Sequence, residues 1–302
     1  MPLHRERLKF ILAVVLYGTI GMFLRFADVP SEAAALYRGL IGAAFILLYR
    51  LLRKEKPDPE AIRRNFPRLL LSGIFLGLNW IFLFAAYVKT TVAAASLCNY
   101  MAPILVIILS PLLLKEKPDK RKLPCVAAAF LGIVLVSGVF GGSIGDPAGI
   151  VMGLLGAVCF AGIVFCNRKL KDIPAMDRAL VQLAVSAATV LPYVLIKNGG
   201  LPLPRGRSLL IILMLGILQT GVAYCLYFSG MANLPVQSVA ILGYLEPVVS
   251  VLCSVLFLRE PLSVWGWIGA VLILAAAAVS ELMIPPDPRT VSDTPSGPAA
   301  SG

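Results

Sequence analysis

The 302-residue chain is 59% hydrophobic, has a mean hydropathy of +0.87 and carries only 14% charged residues, against roughly a quarter in soluble domains. That balance excludes a soluble globular domain and predicts an all-α integral membrane protein, since an apolar run of about 20 residues crosses a hydrocarbon core of ~30 Å. The net charge of +11 would suit nucleic acid, but the placement of the cations reads as membrane topology and argues against that partner.

Ten apolar stretches are predicted to span the membrane, near residues 8–26, 32–52, 67–87, 91–114, 122–140, 147–167, 175–196, 208–230, 235–258 and 263–284. No small-residue cleavage site follows the first run, so it is expected to be retained as a helix. Lys and Arg crowd alternate connections: 5–9, 50–68, 115–122 and 168–178 hold most of the 27 basic residues. The opposite set has only Arg25, Lys89, Lys197, Arg205, Arg207 and Arg259. Because basic loops stay cytoplasmic, both termini are expected on that side. The tail from 285 to 302, rich in Pro, Ser and Gly, is expected to be a disordered cytoplasmic extension.

The chain also repeats itself without gaps at an offset of 144 residues. Asp28 and Pro30 return as Asp172 and Pro174, Gly77 as Gly221, Phe84 as Phe228, Tyr100 as Tyr244, Pro103 as Pro247, Ser110 as Ser254 and Glu116 as Glu260. Residues 1–142 and 143–284 are thus predicted to be two five-helix units. An odd number of helices forces the second unit to enter the membrane in the opposite sense, which is the inverted duplication found in many secondary transporters.

Polar groups at membrane depth are costly and mark candidate function. Glu246 lies about 10 residues into the ninth stretch, ~15 Å deep at a rise of 1.5 Å per residue. With Gly243, Ser250 and Cys253 it forms one small or polar stripe at helical spacing. Pro247 removes a backbone donor and is expected, like Pro103, to bend its helix. Two roles stay open for Glu246: a carboxyl that loads and releases a coupling proton, or a buried anchor between helices. Arg38, ~9 Å into the second stretch, presents a donor fork suited to a carboxylate or phosphate; the competing reading is a structural ion pair or a side chain snorkelling to headgroups. Asn79, Trp80, Asn99, Tyr100, Gln182, Gln219, Tyr224 and Tyr244 cluster at mid-depth. Such groups either orient a ligand in a mostly apolar pocket or join helices. Gly73–Gly77 and Gly149–Gly153 match a close-packing motif.

Six cysteines, Cys98, Cys125, Cys159, Cys166, Cys225 and Cys253, sit inside apolar stretches, and the single histidine is His4. Neither has metal-ligand spacing, so no metal or cofactor is expected. A nucleophile elbow and a phosphate-binding loop are both missing, which argues against an enzyme.

Two copies of one motif carry a family resemblance: Pro103 followed by an apolar run and Lys115-Glu116, and Glu246-Pro247 followed by an apolar run and Arg259-Glu260. Together with Arg38 early in the second helix, they make the chain similar to the EamA-type ten-helix branch of the drug/metabolite transporter superfamily. The resemblance spans about residues 8–283. It departs at Tyr17, where many members have tryptophan, and at Gln182, which stands opposite Arg38. The resemblance implies a central substrate cavity lined by the first four helices of each unit, with Tyr17 among its residues, and a peripheral fifth helix. It also implies secondary transport of a small polar metabolite such as an amino acid, often outward and with proton coupling or exchange, across a bacterial inner membrane by a monomer or homodimer. Duplicated Glu116 and Glu260 point to folding or gating. A polytopic enzyme or flippase acting on a lipid-linked substrate is the alternative, although the chain lacks the His, Asp or Cys cluster it would need. No span is polar enough to line a channel.

Overall fold

Capping residues and prolines cut the apolar sequence into helices. The computed structural model describes residues 2–113, 121, 123–136, 146–231, 234, 239 and 242–283. Lys115, Glu116 and the tail 285–302 lie outside the described residues. In chain order the helices are α1 (Pro2–Gly18), α2 (Ile20–Arg25), α3 (Ser31–Arg53), α4 (Pro59–Lys89), α5 (Val92–Asn99), α6 (Ala102–Leu113) and α7 (Leu123–Val136). There follow α8 (Pro147–Arg168), α9 (Ala175–Asn198), α10 (Gly206–Leu213), a π-helical stretch Met214–Val222, α11 (Ala223–Met231), α12 (Leu245–Leu256) and α13 (Val264–Leu282).

Seven helical segments are long and apolar enough to cross a membrane, and three shorter apolar helices, Leu123–Val136, Leu245–Leu256 and Val264–Val279, occupy the remaining expected positions. The protein is therefore an all-helical, multi-pass membrane protein. Local chemistry explains where the helices depart from the expected bounds. α4 starts well before residue 67 because the Asp58 side chain accepts a hydrogen bond from the Ala61 N–H at 2.9 Å and Pro59 occupies the first turn, where its missing donor costs nothing. The fourth stretch is broken at Tyr100-Met101. Pro103 has no N–H to offer the Asn99 carbonyl one turn back, and the chain tightens locally, Met101 N–H donating to the Cys98 carbonyl at 3.1 Å. In the second copy, Pro247 likewise sits in the first turn of α12, which begins only at Leu245.

The two ends of α3 show how the corresponding helices run. Glu32, near its start, pairs with Lys197 at the end of α9 at 3.1 Å. Arg50, near its end, pairs with Asp177 in the first turn of α9. The second and seventh spans are thus antiparallel, as an inverted duplication requires. Packing between the halves is reciprocal: α1 lies against α11 and α12, while α8 lies against α4 and α5. Each half therefore inserts its first helix between the third and fourth spans of the other. α3 packs on α9, α5 on α12, and α7 on α13 at one side.

Close contact at this centre depends on glycine. A Cβ at Gly221 would come within 2.3 Å of Phe45 Cδ1, and one at Gly42 within 2.5 Å of Thr220 Cγ2. Along this seam the eighth span widens into the π-helix, and Thr220 Oγ1 donates to the carbonyl of Leu215, five residues back, at 2.8 Å. Such widened turns tend to occur at functional sites.

At one end of the bundle Glu260 accepts hydrogen bonds from Arg25 Nη2 at 2.8 Å, from the Val92 N–H at 2.8 Å and from Ser254 Oγ. It thereby caps α5 and ties α2 to the α12–α13 connection. Asp146 caps α8 by accepting from the Ala148 N–H and pairs with Lys89 at 3.0 Å. Those two contacts hold its carboxyl below the usual carboxylate range.

Candidate functional site: an arginine and a glutamate across an aromatic interior

Arg38 is 6% exposed and held from two directions. Its Nε donates to Thr220 Oγ1 at 2.7 Å, and its guanidinium carbon lies 4.6 Å from the centre of the Trp80 ring and 6.0 Å from that of Phe84. A cation over an indole face is attracted by the ring quadrupole, all the more where water is excluded. These contacts use the Nε edge and one face of the group. The Nη fork, suited to two parallel bonds to one carboxylate, has no protein partner among the described residues.

Glu246 stands in the first turn of α12, where the helix dipole favours negative charge. The Tyr100 phenol, at the break between α5 and α6, is its side-chain hydrogen-bonding neighbour. Arg38 and Glu246 interact electrostatically without forming a direct ion pair. Tyr17, Tyr224 and Tyr227 lie near Glu246. The Tyr17 ring is 5.9 Å from Tyr224, edge to face, and 6.0 Å from Tyr227. Phe228 continues the run at 5.8 Å from Tyr224 and 5.5 Å from Tyr227. Tyr17, Tyr100, Tyr224 and Glu246 are densely surrounded by protein, yet each keeps accessible surface.

The structure thus brings together Tyr17, Arg38, Trp80, Tyr100, Tyr224 and Glu246 from the expected set. Tyr244 is the residue before α12, at its N-cap, two positions from Glu246. Three amides bind protein instead. Asn79 Nδ2 donates to Asn99 Oδ1 at 2.9 Å and to the Gly156 carbonyl at 2.8 Å. Gln182 Nε2 donates to Ser72 Oγ and Asn167 Oδ1, both at 2.7 Å. Gln219 is split: its Nε2 donates to Thr19 Oγ1 at 2.6 Å, while its buried Oε1 has no partner. The small-residue stripe of α12 also makes a polar contact across the seam through Ser250, whose Oγ lies 2.6 Å from Ser96 Oγ, which in turn is 3.2 Å from the Tyr87 hydroxyl.

Sequence reasoning missed Thr220, Tyr227, Phe228 and Arg178. The aromatic pair had a usable signal, since 224, 227 and 228 share one helical face, as do 10 and 17 on α1. The Phe10 and Tyr227 rings indeed meet, tilted by 36° with centroids 4.8 Å apart. Arg178 was grouped with the loop cations, but it lies in the first turn of α9 with its guanidinium 5.2 Å from the Phe228 ring centre.

The profile of the EamA-like transporter family matches the chain twice, over residues 6–138 and 147–281. The chain belongs to the EamA-like transporter family. It is 24% identical over 277 residues to the uncharacterized transporter YxxF of Bacillus subtilis (strain 168), covering 90% of this chain and 88% of that protein. It is 30% identical over 221 residues to the aromatic amino acid exporter YddG of Ancylobacter novellus, covering 70% and 74%. A solved crystal structure superposes with a TM-score of 0.64 at 24% identity, over 92% of this chain and 97% of that one; that likeness concerns the fold. The protein is accordingly a membrane transporter for a small molecule, and not an enzyme.

Proposed function

We propose that this EamA-like protein is a secondary transporter that exports a small polar metabolite, an amino acid or a related compound, by alternating access. Its two units, 1–142 and 143–284, rock about the shared centre in a bacterial inner membrane, with both termini in the cytoplasm. The observation that carries the reading is the placement of Arg38 and Glu246. A cation with a free fork and a carboxyl face one aromatic-lined interior, close enough to interact but not paired with each other. A zwitterion satisfies both: its carboxylate takes the Nη fork, and its ammonium or a proton takes Glu246. Tyr17, Tyr100 and Tyr224 supply apolar surface with polar tips. The name of the Ancylobacter novellus relative supports an amino acid as cargo and export as direction.

The test is uptake by proteoliposomes offered amino acids, nucleobases and organic cations, with and without a pH gradient. Amino acids are expected to accumulate, and failure of every amino acid in the panel removes the substrate class. If Glu246 carries a coupling proton, Glu246→Gln abolishes the response to the gradient, because an amide has no proton to release in this range, while counterflow persists. Unchanged gradient-driven accumulation in that variant removes the coupling role and leaves Glu246 as anchor or counter-ion.

A further inference from the structure

Arg178 is placed where structure alone gives little reason for a cation. It occupies the first turn of α9, the end of a helix at which positive charge is disfavoured. Its neighbour Asp177 is engaged by Arg50 and by the Asp58 N–H, and no carboxylate among the described residues pairs with Arg178. It is partly buried all the same, lying against Phe228 at 5.2 Å and interacting electrostatically with Tyr227 and Tyr224. Tyr224 also interacts with Arg38. Both guanidiniums thus lie near Tyr224, and the rings of Phe228, Tyr224 and Tyr17 form a continuous run.

The internal repeat sharpens the point. At the 144-residue offset the counterpart of Arg38 is Gln182, whose amide nitrogen is committed to Ser72 and Asn167. Arg178 stands four residues earlier, about one helical turn or ~6 Å away, and its donors have no hydrogen-bond partner among the described residues. Each unit thus contributes one guanidinium to the interior, from antiparallel helices. The two accordingly lie toward opposite ends.

We propose that Arg178 is a second carboxylate-binding station, on the side of the site where α9 begins, which receives the carboxylate of the cargo before Arg38 does. In the orientation proposed above this is the cytoplasmic, loading side. Phe228, Tyr227 and Tyr224 form the surface along which an apolar or aromatic body moves while its carboxylate passes from one fork to the other. The inference rests on the transport reading for its role in a cycle, but the binding of a carboxylate at Arg178 stands or falls separately.

Two measurements test it. Inside-out and right-side-out vesicles carrying the full chain are offered L-phenylalanine. Arg178→Gln is expected to raise KM at least about tenfold on the face at which α9 begins and by less than about twofold on the other, with Arg178→Lys intermediate because one ammonium replaces a bidentate fork. Equal change on both faces, or none, overturns the proposal. In the second arm, phenylglyoxal labelling of Arg178 in wild-type vesicles is read by mass spectrometry. Phenylacetate, which keeps the carboxylate, is expected to protect Arg178, and 2-phenylethylamine, which lacks one, is expected not to. Absence of protection by phenylacetate overturns the proposal even if a variant fails to fold. Should wild-type protein carry no L-phenylalanine, the vesicle arm is run with an amino acid that the panel shows to be carried; should none be carried, the cargo reading fails and the labelling arm alone decides Arg178.

Discussion

Replacing Asp177 by Ala isolates the energetics of the bundle end at which α9 begins. Asp177 is 0% exposed and its partner Arg50 is 6% exposed by side chain, so neither charge has water to fall back on. Its Oδ1 accepts from Arg50 Nη1 and its Oδ2 from the Asp58 N–H at 3.1 Å. Arg50 Nη2 donates to the Lys56 carbonyl at 2.8 Å, and Arg50 Nε already lacks a partner. Removing the carboxylate strands a buried guanidinium and leaves the Asp58 N–H without its acceptor. Breaking a buried pair from one side costs about 3–5 kcal/mol, which for a chain of this size corresponds to about 6–10 °C in Tm. Asp177→Asn keeps an acceptor and should lose less. The paired replacement Arg50→Met with Asp177→Leu should recover much of the loss, because apolar groups of similar volume leave no charge behind. The assay is thermal unfolding of the purified variants in one detergent, completed as a double-mutant cycle. A Tm within about 1 °C of wild type for Asp177→Ala would mean that water reaches Arg50 and that the pair does not hold α9.

Two further outcomes are expected. Arg38→Lys should not restore the transport lost in Arg38→Ala, since an ammonium lacks the planar fork and stacks less well on Trp80; full transport with lysine, measured in proteoliposomes, leaves only a requirement for positive charge. Single cysteines at Glu55 and at Leu201, both exposed, should react with impermeant thiol reagents from the cytoplasm and from outside respectively. The opposite pattern reverses the proposed orientation.

Much of the fold was legible before any coordinates, because insertion into a membrane is decided locally. Each apolar run had to become a helix to satisfy its own backbone in hydrocarbon, so the order of the spans followed from composition, and Pro103 and Pro247 were expected to bend their helices from the chemistry of proline. The 144-residue echo exposed the duplication for the same reason: it is written linearly. Glu246 and Arg38 were legible as candidates since charge at depth is costly wherever it occurs.

What each polar side chain does was not legible, because its partner lies far along the chain. Arg38 finds Thr220 across 182 residues, and Arg50 finds Asp177 across 127. Asn79, Asn99 and Gln182 look like ligand-binding amides in sequence, yet the amide nitrogens of Asn79 and Gln182 are committed to neighbouring helices. Arg178 looks like one more basic loop residue, yet it turns inward onto Phe228. The rotation of each helix about its axis settles these questions. In this chain that rotation is set by glycine contacts such as Gly42 on Thr220 and Gly221 on Phe45. Hydropathy thus determined that the chain spans the membrane and where. Packing between the two halves alone decided which charges face one another and which are left free to meet a ligand, because only close contact between helices fixes the faces they turn to the interior.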